Sequence, residues 1–521
     1  MRRIRQKALL ALGFFRYMKE PLTREAAIEA VRRRIEHREN NFLDLAKRLI
    51  YACAHSPYRR LLLWAGCDYP DLERSIRVKG LEKTLEALRD AGVFLTLEEF
   101  KSKNPISRKG LLIETGEGDF DNPYLRGRSL QGSTSGSRSK GTRVPYDWNF
   151  FAEEAADEIL LNDAHGVSEL PSAFWMPGPP SFSGIHNLLI HLKFRQPPLK
   201  WFSHLPDNME SRAAMTYLVW SCRLFGVSPP RPDFTEIKDA KRVARWMEGA
   251  CKKYGRCAVR AFASSAVHIV QAAREHGIDI RGGLIFTGGE PLTERRYRYM
   301  QSAGVHAAPR YVSTETGLIG AGCPHRESPD SMHLCTDRLA LIQRDRAVSK
   351  DAQTVPAFLF STLSTHAGKV MLNAELGDFG KIDVRSCDCL LGRVGMKVHV
   401  SNVRSFDKLT GEGMTLVGSV LEDVIGELVE RAGGRPDDYQ FWESEEDDGL
   451  VRLTVAVSPN IQGLDEARFV ERILDKLREK GEGARIASQF WRQANTLRVV
   501  RAHPEMSKGF KILPIIKRSR S

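Results

Sequence analysis

Between Gln131 and Val144 the chain reads QGSTSGSRSKGTRV. Small residues let backbone N–H groups approach a phosphate oxygen, hydroxyls donate further bonds, and a cation offsets the charge. Ser133 to Thr142 contains all three, with Arg138 and Lys140 as cations. A Walker loop is excluded, because it needs Gly-Lys-Ser/Thr after four spacers and the order here is Lys140-Gly141-Thr142. By composition alone the stretch reads equally well as a Gly/Ser linker.

The elements around it decide what such a loop could serve. Residues 23–100 show apolar positions at helical spacing behind Thr23, an expected N-cap. DWNFFAEEAADEILLNDAHG, after the loop, predicts an amphipathic helix. From 255 to 320 strand-like and helical runs alternate: AVRAFAS, SAVHIVQAAREHG, GGLIFTGGEP, TERRYRYMQSAG and APRYVSTE. That alternation predicts an α/β fold with ligands at the strand ends. Composition shifts again near residue 405, where LEDVIGELVERAGG, YQFWES, LVRLTVAV, DEARFVERILDKLREKG and TLRVVRAH predict a small α+β unit.

Taken in order, these stretches resemble the adenylate-forming superfamily, in its phenylacetate-CoA ligase-like branch. STSGSRSKGT is similar to that family's T-S-G-[ST]-T-G-K-P loop, and GGEP to its G-[AG]-E-P turn. YVSTE resembles Y-G-x-[ST]-E, GDFG the ribose-binding aspartate motif, and NVRSFDKLTGEGM the G-R-x-D-D hinge. SKGFKILPIIKR resembles the terminal segment that carries the adenylation lysine. The resemblance runs over residues 56–517. It implies a large N-terminal domain, 1–404, with residues 1–55 as a helical extension, and a small mobile α+β domain, 405–521.

The resemblance also implies roles. Ser133, Thr134, Ser135, Gly136, Ser137 and Lys140 would hold the outer phosphates of ATP. Gly289, Glu290 and Pro291 would line the adenine slot with Tyr311 as its wall, and Asp378 would accept the ribose hydroxyls with Arg404 beside it. Thr314 would bond the α-phosphate, Glu315 would ligate Mg²⁺, and Lys511 would bridge carboxylate and phosphate, with Asp407 as pivot. Lys508 competes with Lys511 for that role. Trp175, Phe182 and His186 are candidates to line the acyl pocket. Cys323, His333, Cys387 and Cys389 resemble a Cys3His structural zinc site, with His325 and Cys335 near enough to replace one ligand. Ser139, Val312, Val403 and Phe406 depart from the family's pattern.

The activity so implied is Mg-ATP-dependent formation of acyl-AMP from a carboxylic acid, an aromatic one among the candidates, then acyl transfer to coenzyme A. An amide-forming synthetase or carrier-protein acylation uses the same acyl-AMP, and a degenerate nucleotide-binding protein is the non-catalytic alternative. A net charge of +13 suits a phosphate-rich or acidic partner. Dispersed basic residues without a nucleic-acid motif argue against a specific nucleic-acid role. Nine cysteines in 521 residues do not make a disulfide framework. Absence of a span of about 20 apolar residues predicts a soluble, cytoplasmic protein, the start MRRIRQKALLALGFFRYMKE being read as an amphipathic helix.

Overall fold

The computed structural model describes residues 2–125, 129–133, 143–347, 354–405, 408–411, 414–435, 438–505 and 515–518. Among them, twelve strands form one sheet whose two halves differ in direction. Pro232–Phe234, Lys200–Ser203, Ser172–Trp175, Cys257–Phe262, Gly283–Gly288 and His306–Ser313 lie side by side in that order and run parallel. Antiparallel pairing then continues through Gly317–Gly322, Met332–Leu334, Val398–Ser405, Ala374–Val384, Thr354–Thr362 and Leu339–Ala347.

Helices on both faces explain why the central parallel strands read as unbroken apolar runs. Cys257–Phe262 is buried at every position. Trp148–Ala164 and Phe182–Lys193 cover one face, with Phe174, Leu284 and Phe286 beneath them. Lys241–Tyr254 and Ala263–Glu275 cover the other, against Trp175, Val259 and Ile285. The antiparallel half packs on the helices of residues 38–100.

Trp148–Ala164 departs from the amphipathic helix expected. Glu154, Asp157 and Glu158 are all buried, as is most of its apolar surface. Cations reach it from distant parts of the chain: Asp157 pairs with Arg338 at 2.6 Å and Arg34 at 3.5 Å, and Glu158 with Arg310 at 2.8 Å and with Arg260. A helix enclosed on all sides needs those partners, since an unpaired buried charge is far costlier than an exposed one.

The N-terminal extension straps this helix in place. Thr23 caps the Arg24–Glu36 helix as expected, accepting from the Ala26 amide at 3.2 Å. Phe14 and Tyr17 pack on Trp148 at 5.4 and 5.2 Å between ring centroids. The Tyr17 hydroxyl donates to the Leu189 carbonyl at 2.7 Å, and Arg34 bridges Asp157 and Asp337. No described helix is long and apolar enough to cross a membrane.

Beyond Ser405 a smaller unit carries a four-stranded sheet in the order Leu497–Arg501, Val451–Val457, Tyr439–Glu445, Ile515–Arg518. Gly418–Arg431, Glu466–Glu479 and Glu482–Gln493 are its helices. The last of these and the Ile515–Arg518 strand were not expected from the sequence. The latter pairs in parallel with Tyr439–Glu445, Phe441 opposite Ile515.

The turn after Tyr439–Glu445 seats this unit on the helix Glu294–Gln301. Arg295 donates to the carbonyls of Glu445 and Glu446 at 3.0 and 2.9 Å, and buried Arg296 donates to the Gly449 carbonyl at 2.7 Å. Phe490 stacks on His204 with centroids 4.9 Å apart, joining the two apolar cores.

Candidate functional site

At the carboxyl ends of the parallel strands, loops carry residues from separated parts of the chain to one place, the usual ligand side of such a sheet. Tyr311, near the end of His306–Ser313, donates its hydroxyl to Asp378 Oδ2 at 2.7 Å. Asp378 lies 67 residues further on, in the strand Ala374–Val384. Register between that strand and Val398–Ser405 sets Asp378 opposite Ser405 and Phe379 opposite Arg404. The Arg404 guanidinium lies 3.4 Å from Asp330, which also accepts the Asn402 amide at 2.9 Å. Tyr311 and Asp378 are thus in contact, whereas the Arg404 side chain turns to Asp330. Tyr311 acts through its hydroxyl, orienting a carboxylate, as well as offering a ring.

Thr314 and Glu315 occupy the turn between His306–Ser313 and Gly317–Gly322. Ser313 Oγ accepts the Thr316 amide at 3.2 Å and holds that turn closed. The Thr314 carbonyl receives the hydroxyl of Tyr146, a residue the sequence reading passed over. Tyr146 ends the strand Arg143–Tyr146, which pairs with Leu130–Ser133, so a single side chain ties the two strands around the glycine- and serine-rich stretch to the Thr314 turn. Glu315 is buried, and no cation pairs with it among the described residues. A buried carboxylate in that condition fits a hard divalent ion. The ladder shifts register between Tyr311 and Val312, and Val312 is 38% exposed.

Gly289 takes φ +75°, a conformation that favours glycine, just past the strand Gly283–Gly288. Glu290 next to it is placed otherwise than the adenine-slot role implies. Its Oε2 accepts the Ser264 amide at 2.7 Å, in the first turn of Ala263–Glu275, and lies 3.6 Å from the Arg296 guanidinium. Helix N-terminal amides and a buried guanidinium hold a carboxylate more favourably than an apolar slot does.

The three acyl-pocket candidates do not meet. Trp175 packs among the helices on one sheet face and stacks on His204 at 4.8 Å, whereas Phe182 and His186 belong to the cluster on the other face. The pleat of Ser172–Trp175 turns Trp175 to the face opposite Phe174, and the helix Phe182–Lys193 that carries Phe182 and His186 packs on the Phe174 face. Phe182 stacks on Tyr146 at 5.5 Å, and His186 Nε2 lies 2.7 Å from Glu154 Oε2. Burial pushes the Glu154 carboxyl up, but His186, Arg338 and Arg310 outweigh it and hold it below the ordinary range. Thr134, Ser135, Gly136, Ser137, Lys140, Asp407 and Lys511 lie outside the described residues, and only the backbone of Ser133 is described.

A second cluster is built of soft donors. Cys323 follows the strand Gly317–Gly322, His333 lies in Met332–Leu334, and Cys387 and Cys389 precede the short helix Leu390–Arg393. Cys323 and Cys387 approach to 3.5 Å between sulfurs, and Cys389 Sγ lies 3.1 Å from His333 Nε2. His333 Nδ1 donates to the Met396 carbonyl at 2.7 Å, which leaves Nε2 facing the thiols. All four sequence-derived ligands thus converge.

A fifth joins them. His399 pairs with His333 across Met332–Leu334 and Val398–Ser405, with ring centroids 4.0 Å apart. One donor atom from each of Cys323, His333, Cys387 and His399 lies within 4.8 Å of the others. His399 Nε2 is buried without a hydrogen-bond partner among the described residues. The only trace of it in the sequence was a histidine ten positions past Cys389. Cys335 belongs instead with Asp157 and Asp337. Cys389 is held down to about 3 by the Cys323 thiol and by His333, and the same bond raises Cys323.

No protein-family model and no curated protein matches the chain. Similar solved structures include an amide bond synthetase from Marinactinospora thermotolerans at 10% identity and TM-score 0.40, covering 72% of this chain and 66% of that one. An acyl-CoA synthetase (AMP-forming)/AMP-acid ligase II-like protein from Dyadobacter fermentans has 13% identity and TM-score 0.31, covering 74% and 87%. An anthranilate CoA ligase in complex with anthranoyl-AMP has 13% identity and TM-score 0.34, covering 83% and 75%. The chain spans about two thirds of the length of the first.

Proposed function

We propose that the chain is a Mg-ATP-dependent carboxylate ligase of the adenylate-forming type, in the phenylacetate-CoA ligase-like branch, that makes acyl-AMP and passes the acyl group to a thiol, coenzyme A first among the candidates. The observation that carries this reading is the Tyr311 hydroxyl on Asp378, with the Thr314–Glu315 turn at the end of the same strand and Arg404 in the neighbouring ladder. The Tyr311–Asp378 contact, between residues 67 positions apart, supports this reading.

In this reading Asp378, oriented by Tyr311, accepts the ribose hydroxyls through the oxygen that Tyr311 leaves free. Gly289, Pro291 and the Tyr311 ring bound the base. The hydroxyl-rich stretch 133–142, with Lys140, holds the outer phosphates, and Thr314 bonds the α-phosphate. Glu315 is the ligand for Mg²⁺, which when bound neutralises phosphate charge. A substrate carboxylate oxygen attacks the α-phosphorus, pyrophosphate leaves, and Lys511 offsets the charge of the two anions that meet. A thiol sulfur then attacks the acyl carbon and AMP departs with the electron pair. Rotation of the unit beyond residue 405 about Asp407 would exchange Lys511 for the acceptor.

The thiol and imidazole cluster is proposed as a structural Zn²⁺ site. Cys323, Cys387 and Cys389 with His333 supply four donors, and His399 stands ready as a replacement for one of them. Four protein ligands leave no open position for chemistry.

ATP–pyrophosphate exchange with Mg²⁺ and a panel of aryl, fatty and amino acids tests the ligase reading. Exchange that depends on one acid class is expected. ATP binding without exchange for any acid would instead support a non-catalytic nucleotide-binding protein.

A further inference from the structure

Arg296 is buried and joins three parts of the chain. Its Nε donates to the Gly449 carbonyl of the small unit at 2.7 Å, its Nη1 donates to the Pro291 carbonyl at 3.0 Å, and Nη1 also lies 3.6 Å from Glu290 Oε2. One planar guanidinium therefore holds the turn at residues 289–291 and the turn at residues 446–449 together. Glu290 extends the connection, since the same Oε2 accepts the Ser264 amide in the first turn of Ala263–Glu275.

The turn of the small unit is built to be seated there. Leu450 is 1% exposed and belongs to the apolar cluster of the large domain that holds Met300 and Val305, not to the cluster of its own unit. Asp448 Oδ2 accepts from Gln271 Nε2 at 3.0 Å, and Thr293 Oγ1 at the start of Glu294–Gln301 donates to Glu445. Gly449 takes φ +81°, and a Cβ there would stand 2.8 Å from Arg296 Cγ and 3.2 Å from Arg296 Cα. The backbone approaches the arginine as closely as a glycine permits.

The polar groups beneath the turn are not saturated. Arg296 Nη2, Glu290 Oε1 and Ser264 Oγ are buried without a hydrogen-bond partner among the described residues. With Glu290 at ion-pair rather than hydrogen-bond distance, the guanidinium depends on its two carbonyl acceptors, and lifting the Gly449 turn takes one of them away. The seat of the small unit and the geometry of residues 289–291 share this one side chain, so whatever stabilises one arrangement stabilises the other.

We propose that Arg296 is a positioning residue that couples nucleotide binding at residues 289–291 to the seating of the small unit: ATP tightens the seat, and the seat tightens ATP. The coupling rests on the reading of residues 289–291 as part of the base slot.

Amide hydrogen exchange of the full chain, followed at residues 446–450 with and without Mg-ATP, tests it. Exchange should slow at least about 5-fold when ATP is bound, with binding established separately by calorimetry. Gly449→Ala, which alters the seat from the side of the small unit, should weaken ATP at least about 5-fold with an unchanged circular dichroism spectrum. Arg296→Lys should do the same, because an ammonium does not reproduce the fork that meets both carbonyls, and adding Gly449→Ala to it should weaken ATP little further. Lys476→Ala, which breaks an ion pair with Glu427 inside the small unit, should leave ATP affinity unchanged. Bound ATP with unaltered exchange at 446–450, Gly449→Ala with wild-type ATP affinity, or an equal loss from Lys476→Ala overturns the coupling and leaves the nucleotide reading standing. A wild-type chain that binds no ATP overturns both.

Discussion

Two buried polar regions of this protein answer one problem in opposite ways. Around the helix Trp148–Ala164, each buried acid is met by a cation or an imidazole from elsewhere in the chain: Arg34 and Arg338 on Asp157, Arg260 and Arg310 on Glu158, His186 on Glu154. The region between Cys323 and His399 gathers three thiols and two imidazoles with no arginine or lysine paired to them among the described residues, and leaves His399 Nε2 without a partner. Charge is closed by the chain in the first case and left to be closed by something else in the second. Buried ionisable groups are structural when their partners are complete, and are candidates for a ligand when they are not.

The largest effect expected is at the open cluster. Metal analysis of the purified protein should find about one zinc per chain, and replacing Cys323 and Cys387 together with Ala, which leaves fewer than four donors, should abolish it and lower the thermal midpoint sharply, because structural zinc binding is worth on the order of 10 kcal/mol. Wild-type protein purified free of zinc, with an unchanged melting curve after chelation, would erase the contrast between the regions.

At the closed region Arg338→Ala should cost about 3–5 kcal/mol in denaturant unfolding, since Asp157 would stay buried without its nearest cation. Replacing Asp157 and Arg338 together with Leu and Met should cost less than the single change. A single variant within about 0.5 kcal/mol of wild type would mean that the ion pairs do not hold this helix.

Acid sensitivity sharpens the comparison further. Burial holds His191 and His204 at about 3, so each stays neutral in the native protein while the unfolded chain takes up protons below its ordinary value of 6.5. The unfolded state binds more protons in that window, and stability must fall as pH falls from about 6.5 toward 3. By pH 5 each contributes a loss of about 2 kcal/mol, which His204→Phe should remove in part. Glu158 adds to this lower down. Burial raises it, but Arg260 and Arg310 prevail and bring it to about 2, so its stabilisation is lost as pH drops from about 4.5 to 2. A flat stability profile between pH 7 and 4 would contradict both histidine assignments, and one flat between pH 4 and 2 the Glu158 assignment.

The smallest effect expected lies in the cleft, which stands between the two regimes with Asp378 half satisfied. Tyr311→Phe removes the one hydrogen bond that orients this carboxylate and should weaken ATP binding about 10-fold by calorimetry, with little change in thermal midpoint. Unchanged ATP affinity would detach Asp378 from nucleotide binding.

Much of this was legible along the chain because it is local. Periodicity at 3.6 residues marked the helices around 263–275 and 466–479, the Thr23 cap followed from residue type and position, and the order of motifs pointed to Tyr311, Asp378 and the converging Cys323, His333, Cys387 and Cys389. What escaped depends on partners far away in sequence. The acids of Trp148–Ala164 looked like an exposed face, because charged residues are ordinarily outside, and only the convergence of Arg34, Arg260, Arg310 and Arg338 permits their burial. Trp175 and Phe182 are close in sequence, but the pleat turns Trp175 to one side of the sheet and the helix that carries Phe182 packs on the other.

Sequence by itself determined which segments become helix or strand, where the chain turns, and which residue types are available for phosphate, carboxylate and metal chemistry, because backbone propensity and side-chain period act over a few residues. Tertiary structure alone decided which of those residues share a site. It put His399 beside His333 through antiparallel register, turned Glu290 to a helix terminus, and tied Tyr146 to the Thr314 carbonyl. Pairings between residues 26 to 168 positions apart are set by how sheets and helices stack, and no short-range property of the chain records them.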